Sequence, residues 1–377
     1  MTADRLTITG GRIFDGVRLH SDMDAHFEDG VFAGLSVPSA DEPQGRLMDL
    51  SGGILAPGYV DLQVNGGGGV MFNDETNVDG LRAIAEAHAS TGTRALLPTL
   101  ITDTPERTRA AVDAVASAIE QQIPGIIGLH LEGPHLSIAR KGAHDPDLIR
   151  PMSDEDEAFL IQSASRLPNL MVTVAPENVT TDQISRLAKA GIVVSLGHSD
   201  CSLNEAKAAF RAGARCVTHL FNAMSQLGNR EPGLVGATLD TPEVSAGLIA
   251  DDVHVHQASM HTALAAKRGT GKIFLVTDAM STVGSDITMF KLNGRAVYRQ
   301  NGRLTLEDGT LAGADLELGR AISILVTKMG LPKAQVLAMA TSVPAQVLPR
   351  PCSAGCFSPN TPANPIWLDE RFKYHAI

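Results

Sequence analysis

From residue 58 to residue 277 the chain repeats one pattern, a short apolar run followed by an amphipathic stretch of helical period. Strand candidates fall at 58–65, 94–101, 126–132, 170–176, 192–197, 216–221, 246–251 and 273–277. Helix candidates between them include 78–90, 105–121, 181–190, 203–212 and 257–267. Such alternation specifies a parallel α/β architecture, and eight strands fit a closed (β/α)8, or TIM, barrel. An open doubly wound sheet is the alternative, but that fold carries a Gly-rich phosphate loop after its first strand. Gly66-Gly67-Gly68-Gly69 lacks the G-x-G-x-x-G spacing leading into a helix.

Both ends of the chain break the rhythm. Before residue 55 apolar and polar positions alternate, as in Leu6-Thr7-Ile8-Thr9, with turn signals at Gly10-Gly11, Asp15-Gly16 and Asp29-Gly30. The tail ends in Ile366-Trp367-Leu368, a strand expected to return to that region. Residues 1–55 and 345–377 are therefore read as a small β-sandwich domain, and 56–344 as the barrel. Asn293-Gly294, Asn301-Gly302 and Asp308-Gly309 predict a β-hairpin insertion near 284–312, at the barrel mouth. Two helices are expected after it, near 315–329 and 332–341.

A net charge of −11 argues against a broad nucleic-acid or anionic-membrane surface. No uncharged apolar run approaches a membrane span. The sequence Met-Thr-Ala-Asp-Arg shows no secretory signal. Cys201, Cys216, Cys352 and Cys356 lack C-x-x-C spacing and do not suggest a disulfide scaffold, so a reducing cytoplasm is expected.

The barrel reading gives the strand ends their meaning, because sites in this fold gather at the C-terminal rim. Four runs end there in metal-capable or proton-transferring groups: His130-Leu131-Glu132-Gly133-Pro134, Gly197-His198-Ser199, Thr218-His219-Leu220 and Val276-Thr277-Asp278-Ala279. Each has a bland reading taken singly: a solvated Glu, a structural His, a helix-capping Asp. Together Glu132, His198 and His219 form a common ligand set for catalytic zinc, which lowers the pKa of bound water. Iron, cobalt or manganese suit the same ligands. Asp278 is the natural base for that water. Gln63 and Asn65 share one face at the end of the first barrel strand, and neutral amides are poor zinc ligands; they point to a single metal ion. Arg230 is the best anion binder nearby, since a guanidinium fork matches phosphate oxygens, and His254 is placed to contact a ligand.

Several longer motifs now add a resemblance. Ala56-Pro57-Gly58-Tyr59-Val60-Asp61-Leu62-Gln63-Val64-Asn65-Gly66, His130-Leu131-Glu132-Gly133-Pro134, Lys141-Gly142-Ala143-His144, His219-Leu220-Phe221-Asn222-Ala223-Met224 and Leu275-Val276-Thr277-Asp278-Ala279 resemble the N-acetylglucosamine-6-phosphate deacetylases of the amidohydrolase superfamily. The match runs in order from about residue 50 to about 345. It implies hydrolysis of an N-acetylhexosamine 6-phosphate to amine and acetate. It also implies that Asp278 protonates the leaving amine and that His144 polarises the acetyl carbonyl. Asn222, Ala223 and Arg230 would receive the phosphate, His254 and Ala143 would meet the substrate, and Leu311-Ala312-Gly313 would line it. The resemblance implies a homodimer, in which Arg230 or His254 could reach a neighbouring subunit's site. The segment 355–364 departs from the family's Gly-x-Ile-x-x-Gly-x-x-Ala-Asp pattern, which bears on packing of the β domain and not on the reaction.

Three rivals follow. A deacetylase for the galacto epimer needs the same centre. Ring-opening amidohydrolases need paired histidines where Gln63 and Asn65 stand. A catalytically silent sugar-phosphate-binding barrel would lack turnover.

Overall fold

The computed structural model describes residues 4–39, 45–350 and 354–377. Its centre is an eight-stranded parallel sheet whose strands lie side by side in chain order. These are β1 (Tyr59–Val64), β2 (Thr93–Ile101), β3 (Leu129–Glu132), β4 (Leu170–Val174), β5 (Val193–Leu196), β6 (Cys216–Val217), β7 (Ser245–Leu248) and β8 (Ile273–Leu275). The helices α1 (Val78–Ala89), α2 (Pro105–Glu120), α3 (Asp154–Arg166), α4 (Thr181–Lys189), α5 (Leu203–Ala212), α6 (Gly233–Asp240) and α7 (Gln257–Ala266) alternate with them. The chain thus forms a (β/α)8 barrel.

Local chemistry starts the helices where the pattern changes. The Asn77 side chain accepts from Gly80 N–H, and Thr104 caps a helix with Pro105 in its first turn. Ser153, Thr180 and Ser202 form capping boxes with Asp156, Gln183 and Glu205, satisfying otherwise orphaned donors. Leu81, Ile84, Val112, Val115, Ile184 and Leu187 are fully buried on the sheet-facing sides of their helices, the stripe that a 3.6-residue period produces.

The strands face two environments. Val60, Leu62 and Val64 join the apolar core, whereas the alternate residues Asp61, Gln63 and Asn65 are buried polar groups. The alternation continues as a hydrogen-bonded layer. His130 Nε2 lies 2.7 Å from Thr173 Oγ1, which lies 2.7 Å from Thr218 Oγ1, itself 2.7 Å from Ser195 Oγ. Buried polar side chains persist only when they find such partners.

Between β8 and β1 the barrel closes through an isolated bridge, Val64 with Ala279. Asp278 N–H donates to Gln63 O at 3.0 Å, and Asn65 N–H to Ala279 O at 2.9 Å. The seam therefore falls among residues at the rim.

The strands are shorter at their C-terminal ends than the apolar runs suggest. The run 216–221 is strand only over Cys216–Val217, and 246–251 only over Ser245–Leu248. His219 and Phe221 take left-handed backbone angles, φ 28° and 79°, which stop the ladder. After β8, strands Met289–Leu292, Arg295–Gln300 and Arg303–Leu306 form an antiparallel sheet. Asn293-Gly294 and Asn301-Gly302 turn it with positive φ at all four residues, the arrangement of two-residue hairpin turns. The helix near 315–329 begins at Leu318–Ser323 and widens to a π-helical turn over Ile324–Lys328, and the next spans Lys333–Ala340.

Two further sheets are built from the chain ends, the first from N-terminal strands alone and the second from both ends. One orders strands 31–36, 24–28, 5–9 and 46–49; the other orders 374–375, 365–368, 54–57, 12–14 and 19–20. Strand Pro365–Leu368 pairs with Ile54–Pro57, so the tail does return to the N-terminal segment. Ile8, Ile13, Phe27, Phe32, Leu55 and Phe357 share one apolar cluster between the sheets, a small sandwich. Strand Ile54–Pro57 runs two residues past the expected boundary at 55/56. In the divergent tail Asn360 adopts φ 61°, the left-handed conformation Asn tolerates. Cys201, Cys216 and Cys356 are free thiols, and Cys352 lies outside the described residues. No helix among the described residues is long and apolar enough to cross a membrane.

Candidate metal centre and active site

The long loops after β3, β6 and β8 open onto one cavity of about 390 Å³. Its wall includes Glu132, His144, His198, His219, His254 and Asp278 from the rim. His198, His219 and Asp278 have φ of 47°, 28° and 51°. Non-glycine residues in this region carry backbone strain of roughly 1–3 kcal/mol each, and such strain clusters at functional sites.

Three donor atoms converge. Glu132 Oε1 lies 3.0 Å from His219 Nε2 and 3.4 Å from His198 Nε2, and the two nitrogens are 3.1 Å apart. Among the described residues these three are the group whose ligand atoms are close enough to hold a metal ion. Bonds of about 2.0–2.1 Å in a tetrahedral shell put neighbouring ligands roughly 3.3 Å apart, so the observed triangle fits a divalent ion. His198 Nδ1 is 2.9 Å from Arg140 O. That carbonyl can only accept, so Nδ1 holds the proton and Nε2 presents a lone pair, the outer-shell arrangement of metal-ligating histidines. Gly142, on the same loop, has φ 56°, and a Cβ there would sit 3.3 Å from His198 Cε1. Glycine lets the loop cross the ring.

Burial works against the Glu132 charge, but the His198 and His219 rings beside it outweigh burial and hold the carboxyl well below its usual range. For His219 burial favours the neutral ring, and the bond to Glu132 reverses this and raises its pKa.

Asp278 faces this triangle without joining it. Its Oδ1 accepts from Gln63 Nε2 at 3.0 Å and Asn65 Nδ2 at 2.7 Å. Gln63 Nε2 also donates to Glu132 Oε1 at 3.1 Å. The two amides are thus donors that place the carboxylates. Burial, then the Glu132 charge, raises the Asp278 pKa.

His144 is buried, and Thr102 N–H donates to its Nδ1 at 3.3 Å. A neutral ring must then carry its proton on Nε2, which lies 3.9 Å from Glu132 Oε2. Burial, followed by repulsion from His198, drives the His144 pKa down to about 3, so the ring is a neutral donor. His254 Nδ1 is 2.6 Å from Asp251 Oδ2, and Asp251 Oδ1 accepts from Val253 and His254 N–H.

Ala143, Asn222, Ala223, Leu311 and Gly313 line the cavity. Ala312 is instead fully buried in the apolar cluster of the inserted sheet, so its side chain is not at the wall. Arg230 is exposed on the loop before α6 and is not among the lining residues. The arginine that does line the cavity is Arg140, whose Nε donates to Asp200 Oδ1 at 2.8 Å. Nothing in the local sequence around Arg140 marks a loop arginine as facing inward. Asp251 was missed too, although its spacing of three from His254 was available as a signal.

The chain belongs to the amidohydrolase family, whose model matches residues 54–375. It is 40% identical to an N-acetylgalactosamine-6-phosphate deacetylase of Shewanella sp. (strain ANA-3), over 99% of this chain and 94% of that one. It is 36% identical to an N-acetylglucosamine-6-phosphate deacetylase of Haemophilus influenzae, over 83% of this chain and 82% of the relative. The crystal structure of N-acetylglucosamine-6-phosphate deacetylase from Pasteurella multocida superimposes with a TM-score of 0.93 at 32% identity, covering 98% and 97% of the two chains.

Proposed function

We propose that the chain hydrolyses the acetamide of N-acetyl-D-glucosamine 6-phosphate to D-glucosamine 6-phosphate and acetate, in amino-sugar catabolism. The observation that carries this reading is the Glu132–His198–His219 triangle with Asp278 across the same cavity, in a chain whose relatives are named as deacetylases.

Glu132, His198 and His219 would hold one divalent ion, which we take to be zinc; bound there, it supplies the Lewis acidity that amide hydrolysis needs. Asp278 takes a proton as water adds to the acetyl carbon. It returns that proton to the nitrogen as the C–N bond breaks, because an amine anion cannot leave unprotonated. His144 donates from Nε2 to the acetyl oxygen. Asn222 and Ala223 receive the phosphate, His254 contacts the sugar, and Ala143, Leu311 and Gly313 form the remaining wall.

We also propose a cytoplasmic homodimer. The free thiols Cys201, Cys216 and Cys356 agree with a reducing compartment. A dimer would let the exposed Arg230 serve a neighbouring site. Residues 1–55 with 345–377 are proposed to form a unit distinct from 56–344.

The test is acetate release from the two epimeric sugar phosphates by metal-loaded protein. The 40% identity to a galactosamine-type enzyme favours the galacto epimer as the second reading, and faster turnover of that epimer would replace the first. No acetate from either would leave a silent sugar-phosphate-binding barrel. Asp278→Asn should keep one metal per chain and lower kcat by at least about 100-fold, the scale of a lost acid–base group.

A further inference from the structure

Asp61 has no place in the chemistry above, yet it is a fully buried acid for which no ion pair is found among the described residues. A carboxylate in that setting is costly unless hydrogen bonds satisfy it. Here they come from three donors. Thr277 Oγ1 donates to Oδ2 at 2.6 Å, while Gln63 N–H and Thr277 N–H reach Oδ1 at 3.2 and 3.3 Å. These donors sit on β1 and just after β8, on either side of the seam that lacks a continuous strand ladder.

We propose that Asp61 is a positioning residue for the reaction, tying Thr277 and Gln63 across the barrel seam and through them fixing the Asp278 carboxylate. This rests on the reading of Asp278 as the proton-transfer group. Each residue that Asp61 holds adjoins the site. Thr277 directly precedes Asp278, whose left-handed φ of 51° must be maintained by its surroundings. The Gln63 side chain donates to both Glu132 and Asp278, and its carbonyl accepts Asp278 N–H at 3.0 Å. Thr277 Oγ1 also accepts from Ala279 N–H at 3.2 Å, and a second acceptor, Gln63 O, lies 3.3 Å from it. A displaced base costs rate steeply, about 100-fold for 1 Å.

The same geometry supplies conservative controls. In Asp61→Asn the amide oxygen still accepts both N–H groups. Its nitrogen donates to Thr277 Oγ1, whose own proton turns to Gln63 O. Thr277→Ser keeps the hydroxyl, and Thr277→Val keeps the branched shape without it.

The experiment compares D61A, D61N, T277V and T277S in the metal-loaded full chain. It measures metal per chain, kcat and KM for acetate release, and crystal structures of native, T277V and T277S proteins. We expect D61A and T277V to lose about 10- to 100-fold in kcat, with KM within about threefold and one metal per chain. D61N and T277S should stay within about fivefold of native kcat. In T277V crystals the Asn65 and Gln63 bonds to Asp278 should be broken, and in T277S kept. Native kcat in T277V, losses that merely follow the folded fraction, or a D61N defect equal to that of D61A would overturn the proposal. If native protein releases no acetate from either epimer, the base role fails, and the crystal structures alone decide whether Asp61 and Thr277 fix Asp278.

Discussion

At the scale of single residues, the first barrel strand shows how an amide changes the task of a position. Gln63 and Asn65 each direct an N–H group at Asp278 Oδ1, so that oxygen stays in place while burial and the Glu132 charge raise the group's proton affinity. Asn65→Asp replaces a donor by a like charge in contact with Asp278. A neighbouring anion raises a carboxyl pKa, so the ionised base should appear only at higher pH. The acid limb of the kcat–pH profile should therefore move upward, with metal content unchanged; an unmoved limb would show that Asn65 does not set the Asp278 charge. Glu132, His198, His219 and Asp278 were legible because each ends an apolar run, where a strand must present it to the rim. The partners that orient them were not. Arg140 holds His198 through a backbone carbonyl, which carries no residue-type signature. For His254 the spacing of three to Asp251 was a signal, but it falls within a turn, outside any strand or helix period.

At the scale of elements, hydrophobic period located strands and helices well but placed several strand ends too late. Composition stays apolar through Leu220 and Ala250, while the backbone has already left the ladder at Thr218 and Ile249. After Val217 the cause is a change of φ at His219 and Phe221 that residue type alone does not announce. Helix starts were easier, because caps are written in side chains. Ser202 illustrates this: its hydroxyl accepts from Glu205 N–H at 3.3 Å, and Glu205 Oε2 accepts from Ser202 N–H at 2.8 Å. Ser202→Ala removes one half of that exchange and should destabilise the fold by about 1 kcal/mol. A thermal melt checks this. The site is untouched, so kcat should hold at native value where the protein is folded.

At the scale of the whole molecule, the sandwich built from both chain ends was readable from turn residues and from the apolar tail, a strand that needs a partner sheet; Trp367 packs on the sandwich cluster, while Ile366 and Leu368 bury against the barrel core. Assembly between chains leaves no such periodic mark. Arg230 shows the difficulty: its chemistry suits a phosphate, yet within one chain it stands exposed and away from the cavity wall. If the proposed dimer carries it to the neighbouring site, Arg230→Ala and Asp278→Asn chains should complement each other. In a mixed dimer, the site with Asp278 intact belongs to the R230A chain and receives Arg230 from its D278N partner. That site has every group, whereas the opposite one lacks both. With random mixing of equal amounts, half the dimers are mixed, so activity should recover to about a quarter of native on phosphorylated substrate, one good site in four, on the premise that the two sites turn over independently. Action of Arg230 within its own chain predicts no gain over the average of the separate variants. Mixing after subunit exchange, with the mass of the assembly followed by light scattering, distinguishes the two.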